Sequence, residues 1–368
     1  MNATMRRVVI GTAAVSMALS MAACGKAGDK KDDSGSTKNS SSGGKTIGLL
    51  LPDSVTARYE KFDHPFFQAK IKSLCSDCTV EYANAAGDAA KQAQQVSSMI
   101  TKGVKVIVIS AQDSAAIKSS IQTAVNKGIK VVAYDRLAQG PVSGYVSFDN
   151  VKVGELQGQG LLDALGSKAT KSSKVVMING DDADPNAAQF KQGAHKVLDG
   201  KVDIAYEQSG LWKDSVAAQK MKAAITQLGA KKIAGVYSAN DDMAAGIATT
   251  LKGAGISGIP LTGQDAELAG IQRILAGTQS STVYKPFKQE ADTAAEMAYD
   301  LLQGKSISSL ATTTQTSASG DKVPSDLLTP ISVTKSNIKE TVLKDKIYTV
   351  QEICTGEFAK ACKSAGLQ

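Results

Sequence analysis

The chain has 368 residues, 42% of them apolar and 21% charged, with a net charge of +7. That length allows two domains, and the composition is that of an ordinary globular protein. Six cations and three acids fall in the first 44 residues, which leaves +4 for the remainder, too dilute for a nucleic-acid-binding face.

Arg6 and Arg7 precede an apolar, small-residue run from Val8 to about Ala23. A charged segment followed by a short apolar one predicts an export signal, not a membrane span. The run closes as Met21-Ala22-Ala23-Cys24-Gly25, which resembles a bacterial lipobox, with Met21 where Leu is preferred. Residues 1–23 are therefore expected to be a lipoprotein signal peptide and Cys24 the lipidated residue; an ordinary secretory signal is the alternative. Residues 24–45 are mostly Lys, Asp, Ser, Gly, Thr and Asn, which cannot bury a core and predict a flexible tether. No later stretch has 18 consecutive apolar residues, so membrane attachment is expected through the lipid alone. Four further cysteines suit disulfides in an exported chain. Cys75 with Cys78 and Cys354 with Cys362 are the local pairings, although four cysteines allow three connectivities. Their wide separation without neighbouring His argues against zinc, and no metal or cofactor is expected.

From Thr46 onward strands and helices alternate. The predicted first series is a strand over Thr46–Leu51, a helix over Arg58–Leu74, a strand over Thr79–Ala83 and a helix over Asp88–Lys102. A strand over Val104–Ser110, a helix from Asp113 to Lys127, and strands over Ile129–Tyr134 and Val142–Phe148 complete it. A second series alternates helices and strands from Val151 to a strand that ends at Lys285, with strands over Lys174–Asn179, Val202–Glu207, Ile233–Ser238 and Ile259–Thr262. Repeated βα units with short apolar strands predict parallel sheets covered by helices. Ten strands in one open sheet would be unusual, so two similar sheets side by side are expected.

Ligands of such sheets sit beyond the carboxyl ends of the strands. The residues there are distinctive: Arg58, Tyr59 and Lys61; Asp135 and Arg136; Asp184 and Asn186; Trp212, the single tryptophan; Asn240 and Asp241; Gln264 and Asp265; and Lys285. Charged groups and amides can bracket the hydroxyls of a neutral sugar, and aromatic rings can cover its C–H faces. No Gly-rich phosphate loop follows a strand. His64 and His195 accompany no nucleophile motif, so an enzyme is not expected; the carboxylates alone leave glycoside hydrolysis formally open. Asp182-x-Asp184-x-Asn186 lacks the glycine and the final Glu of a calcium loop.

The stretches SFDNVKVGELQ (147–157), GQDAELAGIQRILAGTQSSTVYKPF (263–287) and VPSDLLTPISVTKSNIKETV (323–342) closely resemble the ribose- and galactose-type periplasmic binding protein family of bacterial ABC sugar importers, and within it the D-xylose-binding members. The similarity spans roughly residues 45–347. It implies an α/β fold of two Rossmann-like lobes with parallel sheets, joined by a three-segment hinge, the type I periplasmic binding protein fold. The implied N-terminal lobe is 46–148 and 285–325, the C-terminal lobe 149–284 and 326–350, and a cysteine-containing tail occupies 351–368. The family's sugar contacts carry over to Arg58, Lys61, Asp135, Arg136, Asn186, Asn240, Asp265 and Lys285, with Trp212 and Tyr59 as stacking aromatics. Tyr59 stands where xylose-binding members have Trp, and YEKFDHPFF (59–67) departs from them. Asp135 and Arg136 would hold the sugar's hydroxyls, and each other in its absence. The resemblance implies a monomeric, extracytoplasmic, lipid-anchored receptor that delivers a monosaccharide, D-xylose first, to an ABC permease driven by a cytoplasmic ATPase. A sensory receptor, or an importer for glucose, ribose or galactose, is the alternative.

Overall fold

The computed structural model describes residues 45–368. The expected signal peptide, Cys24 and the tether before Lys45 lie outside the described residues.

The apolar runs become parallel sheets. β1 (Thr46–Leu51), β2 (Thr79–Asn84), β3 (Val106–Ile109), β4 (Lys130–Tyr134) and β5 (Gly144–Phe148) belong to one sheet with the order β10-β11-β5-β4-β3-β1-β2. Its last members, β10 (Thr313–Thr316) and β11 (Lys322–Leu328), return from near the chain's end, and only β10 runs antiparallel. β1, β3, β4 and β5 are buried along nearly all their length, as parallel strands covered on both faces must be. The second sheet has the order β7-β6-β8, from β6 (Lys174–Asn179), β7 (Asp203–Ser209) and β8 (Ile233–Ser238), all parallel. The strand expected over Ile259–Thr262 is reduced to a single bridge from Val236 to Leu261. Pro260 has no N–H to offer a ladder. β9 (Thr282–Tyr284) and β12 (Ile331–Val333) form a short antiparallel pair. The chain passes between the two sheets three times: after Phe148, between Tyr284 and Phe287, and between Leu328 and Ile331.

The helices are placed by caps and by close approaches. α2 (Ala89–Thr101) starts at Asp88, whose carboxylate accepts from the amides of Ala90 and Lys91 and satisfies two orphan donors. α4 (Asn150–Leu165) and α5 (Pro185–Leu198) touch through glycines. A Cβ on Gly154 would overlap the Phe190 carbonyl, and one on Gly193 the Val151 carbonyl. This contact brings the backbones together and fixes where α5 points. The helix expected over Arg58–Leu74 is divided. A wide π-type turn, Tyr59–Asp63, precedes α1 (His64–Leu74). Pro65 lacks the N–H that would close a regular turn back on Lys61.

Two short helices near the chain's end, α10 (Val350–Ile353) and α11 (Ala359–Ser364), pack on α8 (Leu268–Ala276). Ile353, Cys354 and Cys362 share a core with Ile271, Ile274 and Leu275. A reciprocal Thr349–Glu352 capping box starts α10. Both local disulfides are present, Cys75–Cys78 and Cys354–Cys362. No described helix is long and apolar enough to cross a membrane.

Candidate functional site

A narrow, closely lined cleft lies beyond the carboxyl ends of the strands, between the two sheets. Thr56, Arg58, Tyr59, Asp135 and Arg136 line it from the first sheet's side. Asp184, Asn186, Phe190, Trp212, Asn240, Gln264 and Asp265 line it from the second, and Lys285 lines it where the chain crosses back. Nine of the ten residues expected to contact a ligand are thus brought together. Lys61 is not among them. It sits on the outer face of the Tyr59–Asp63 turn, its side chain 43% exposed and 4.0 Å from Glu352, its ammonium 4.5 Å from the centre of the Tyr348 ring. Residues two apart on a helical turn do not share a face, so Tyr59 and Lys61 cannot both look inward.

Strained backbone concentrates here. Asp135, Trp212 and Asp265 have φ of 58°, 57° and 89°, and Leu211 and Ala266 are also positive. Each such residue costs about 1–3 kcal/mol, which is tolerated where the geometry serves a site. The left-handed Asp135 also explains a departure from the sequence reading. Asp135 and Arg136 do not pair with each other. Arg136 Nε lies 3.0 Å from Asp184 Oδ2, across the cavity, and Nη2 lies 3.8 Å from Asp53. Asp135 turns the other way: it accepts from the Tyr59 hydroxyl at 2.7 Å and lies 3.4 Å from Arg58 Nη1. Tyr59 is accordingly a hydrogen-bonded wall, with Arg58 and Arg136 carbons 5.4 and 5.9 Å from its ring centre.

Burial sets the charge states. Burial alone would push the Asp135 carboxyl up, but Arg58, Lys285 and Arg136 together hold it below its ordinary value. At Asp184 burial wins over Arg136, and the pKa is pushed up to about 6. Lys285 Nζ lies 2.8 Å from Asp265 Oδ1. The charged residues of the wall are three cations, Arg58, Arg136 and Lys285, and three anions, Asp135, Asp184 and Asp265.

On the second side, the first turn of α5 is set by Asp184, which caps the Asn186 amide. Asn186 Nδ2 donates to the Asp135 carbonyl at 2.9 Å, tying one side to the other. Asn240 starts α7 (Asp241–Gly253) by accepting from the Met243 amide. Gln157 is the hidden organiser of these loops. Its Nε2 donates to the carbonyls of Ser238, Ala239 and Gly263 at 3.0–3.2 Å, and its Oε1 accepts from Tyr237. The Trp212 indole lies against Gly180, where a Cβ would overlap the ring, and meets the edge of Phe190 at 6.2 Å. Among the described residues, Asn186 Oδ1, Gln264 Oε1 and Trp212 Nε1 are buried with no hydrogen-bond partner. Buried polar atoms without partners are rare and costly, so acceptors and a donor converging on one cavity point to a polar ligand.

Four lining residues were not singled out as contacts from sequence. Phe190 follows Asn186 by one helical turn, a spacing that puts both on one face and was legible. Asp184 and Gln264 were legible as strand-end groups. Thr56 carried no signal.

A family model described as a periplasmic binding protein domain matches residues 47–306. The D-xylose-binding periplasmic protein of Escherichia coli K12 is 39% identical over 316 residues, which cover 83% of this chain and 92% of that one. A multiple sugar-binding periplasmic receptor of Rhizobium radiobacter is 31% identical, over 84% of this chain and 92% of its own. Among solved structures, an ABC transporter solute binding protein from Clostridium phytofermentans with bound β-D-glucose superposes with a TM-score of 0.76 at 27% identity. It covers 84% of this chain and 100% of that one.

Proposed function

The chain belongs to the periplasmic binding protein family, and from that premise we propose that it is an extracytoplasmic receptor that captures a monosaccharide between its two lobes and delivers it to an ABC permease. The observation that carries this reading is the cavity itself. Its wall sums to zero charge, carries unpartnered acceptors and a donor, and is flanked by Trp212 and Phe190. A sugar offers the matching chemistry: hydroxyls that both donate and accept, and C–H faces for the rings. D-xylose is the proposed sugar, on the strength of the 39% identical relative that is named for binding it. Glucose is the second reading, favoured by the solved neighbour that holds it. The proposed sequence of events is binding, hinge closure over the sugar, and docking of the closed form on the permease, with Cys24 as the lipid anchor. Closure is driven by the sugar's greater affinity for the closed state. The relatives are named as binding proteins, and binding without catalysis is proposed here as well.

Calorimetric titration of the purified, sugar-free protein with D-xylose, D-glucose, D-ribose, D-galactose and L-arabinose tests the reading. D-xylose is expected to bind tightest, and Asp265→Asn to weaken it. Tighter binding of another sugar would overturn xylose and keep the receptor. No binding of any would overturn the receptor.

A further inference from the structure

Arg58 is held from behind by two residues that do not line the cavity. A guanidinium has five N–H donors in one plane and no acceptor. Nε and one Nη2 hydrogen of Arg58 form a fork on Asp63, at 2.9 and 2.6 Å. The other Nη2 hydrogen goes to Glu290 Oε2. One Nη1 hydrogen faces Asp135 Oδ1 at 3.4 Å. Phe287 covers one face of the group, its ring centre 4.4 Å from the guanidinium carbon. One donor remains, on Nη1, the nitrogen nearest the cavity wall at Asp135.

Asp63 and Glu290 are 1% and 0% exposed. Asp63 is itself anchored, since the Tyr134 hydroxyl at the end of β4 donates to it. Glu290, on α9 (Phe287–Leu302), leaves Oε1 without a partner. With Asp135, three carboxyl groups surround one guanidinium. Burial pushes the Glu290 acid well above its ordinary range in spite of Arg58. Glu290 thus meets Arg58 as a hydrogen-bond acceptor and not as a counter-charge, a contact that fixes where the guanidinium lies.

We propose that Asp63 and Glu290 are positioning residues for the ligand. They fix the guanidinium in its plane, so that Arg58 presents a single N–H to a ligand oxygen and cannot swing to follow a different hydroxyl pattern. This rests on the sugar-binding reading above.

The test combines titration with thermal melting. Asp63→Asn breaks the fork, Glu290→Leu removes the second acceptor, and Glu290→Gln keeps an acceptor on the same stem. With the sugar that the wild type binds tightest, affinity is expected to fall about tenfold in Asp63→Asn and Glu290→Leu. Glu290→Gln is expected to return to within about threefold of wild type. In an Arg58→Lys background, where no fork can form, adding Glu290→Leu is expected to cost less than about twofold more. Lower melting temperatures with unchanged affinity, or equal losses in both backgrounds, would overturn the positioning role. A wild type that binds no sugar overturns the receptor reading instead, so the two failures are distinguishable.

Discussion

Trp212 owes its place to a residue with no side chain. Gly180 follows β6 directly, and the indole ring occupies the space that a Cβ there would need. Gly180→Ala is therefore expected to push the ring off its seat and weaken sugar binding about tenfold, roughly 1.4 kcal/mol. Because Trp212 is the only tryptophan, its fluorescence reports both the displacement and the titration. An unchanged emission spectrum together with unchanged affinity would sink the idea. At this scale the sequence was readable where a residue type is scarce or charged. Trp212, Asp135 and Lys285 announce themselves at strand ends, whereas Gly180 and Gln157 do not. Gln157 works through three carbonyls contributed by residues about 80 to 106 positions away. No local pattern encodes that.

The Tyr59–Asp63 turn is the element where reading by likeness and reading by geometry part. Its inner face supplies Tyr59 to the cavity. On its outer face Phe62 stacks on Phe287 at 5.8 Å and meets Tyr348 edge-on at 5.7 Å, with Lys61 over Tyr348 beside it. Lys61→Ala should leave sugar affinity within about twofold of wild type while lowering stability by about 0.5–1 kcal/mol, the worth of an exposed cation–π contact. Titration and melting of the same variant check both halves. A large loss of affinity would put Lys61 back in the binding role that its sequence position suggested. The elements themselves were mostly legible, because a buried parallel strand is an apolar run and a capped helix declares its start. β10 was not legible: Thr313–Thr316 is polar and largely exposed, so it carries no hydrophobic period. Pro65 was visible, yet its widening of the preceding turn depends on how the chain packs beyond it.

Across the whole molecule, buried acids set a pH dependence. Burial pushes Asp184 and Asp241 up to about 6, and Asp242 up to about 7 with Asp265 adding to it. The folded protein therefore holds protons that the unfolded chain, with carboxyls near 4, has already released. The stability these groups contribute is present at low pH and is lost as pH rises through about 6 to 7. Asp135 has the opposite sign, held below its ordinary value, so its contribution disappears only in stronger acid. The melting temperature of the sugar-free protein should fall from pH 5 to pH 7.5. A melting temperature that rises across that window would contradict this account. The two-sheet plan was readable from the doubled βα series. The return of β11 to complete the first sheet was not, because strand order is settled by contacts between residues far apart: Ser325 pairs beside Tyr145.

The three cations and three anions of the cavity wall have one more consequence. A wall whose charges cancel projects little field beyond a Debye length, so encounter with a neutral ligand gains nothing from long-range attraction and loses nothing to salt. A ligand that brings its own phosphate or carboxylate would upset a balance already complete and would enter without a spare counter-ion. Discrimination between a free sugar and its ionised derivatives is thus built into the protein's own ion pairs, before any hydroxyl is compared.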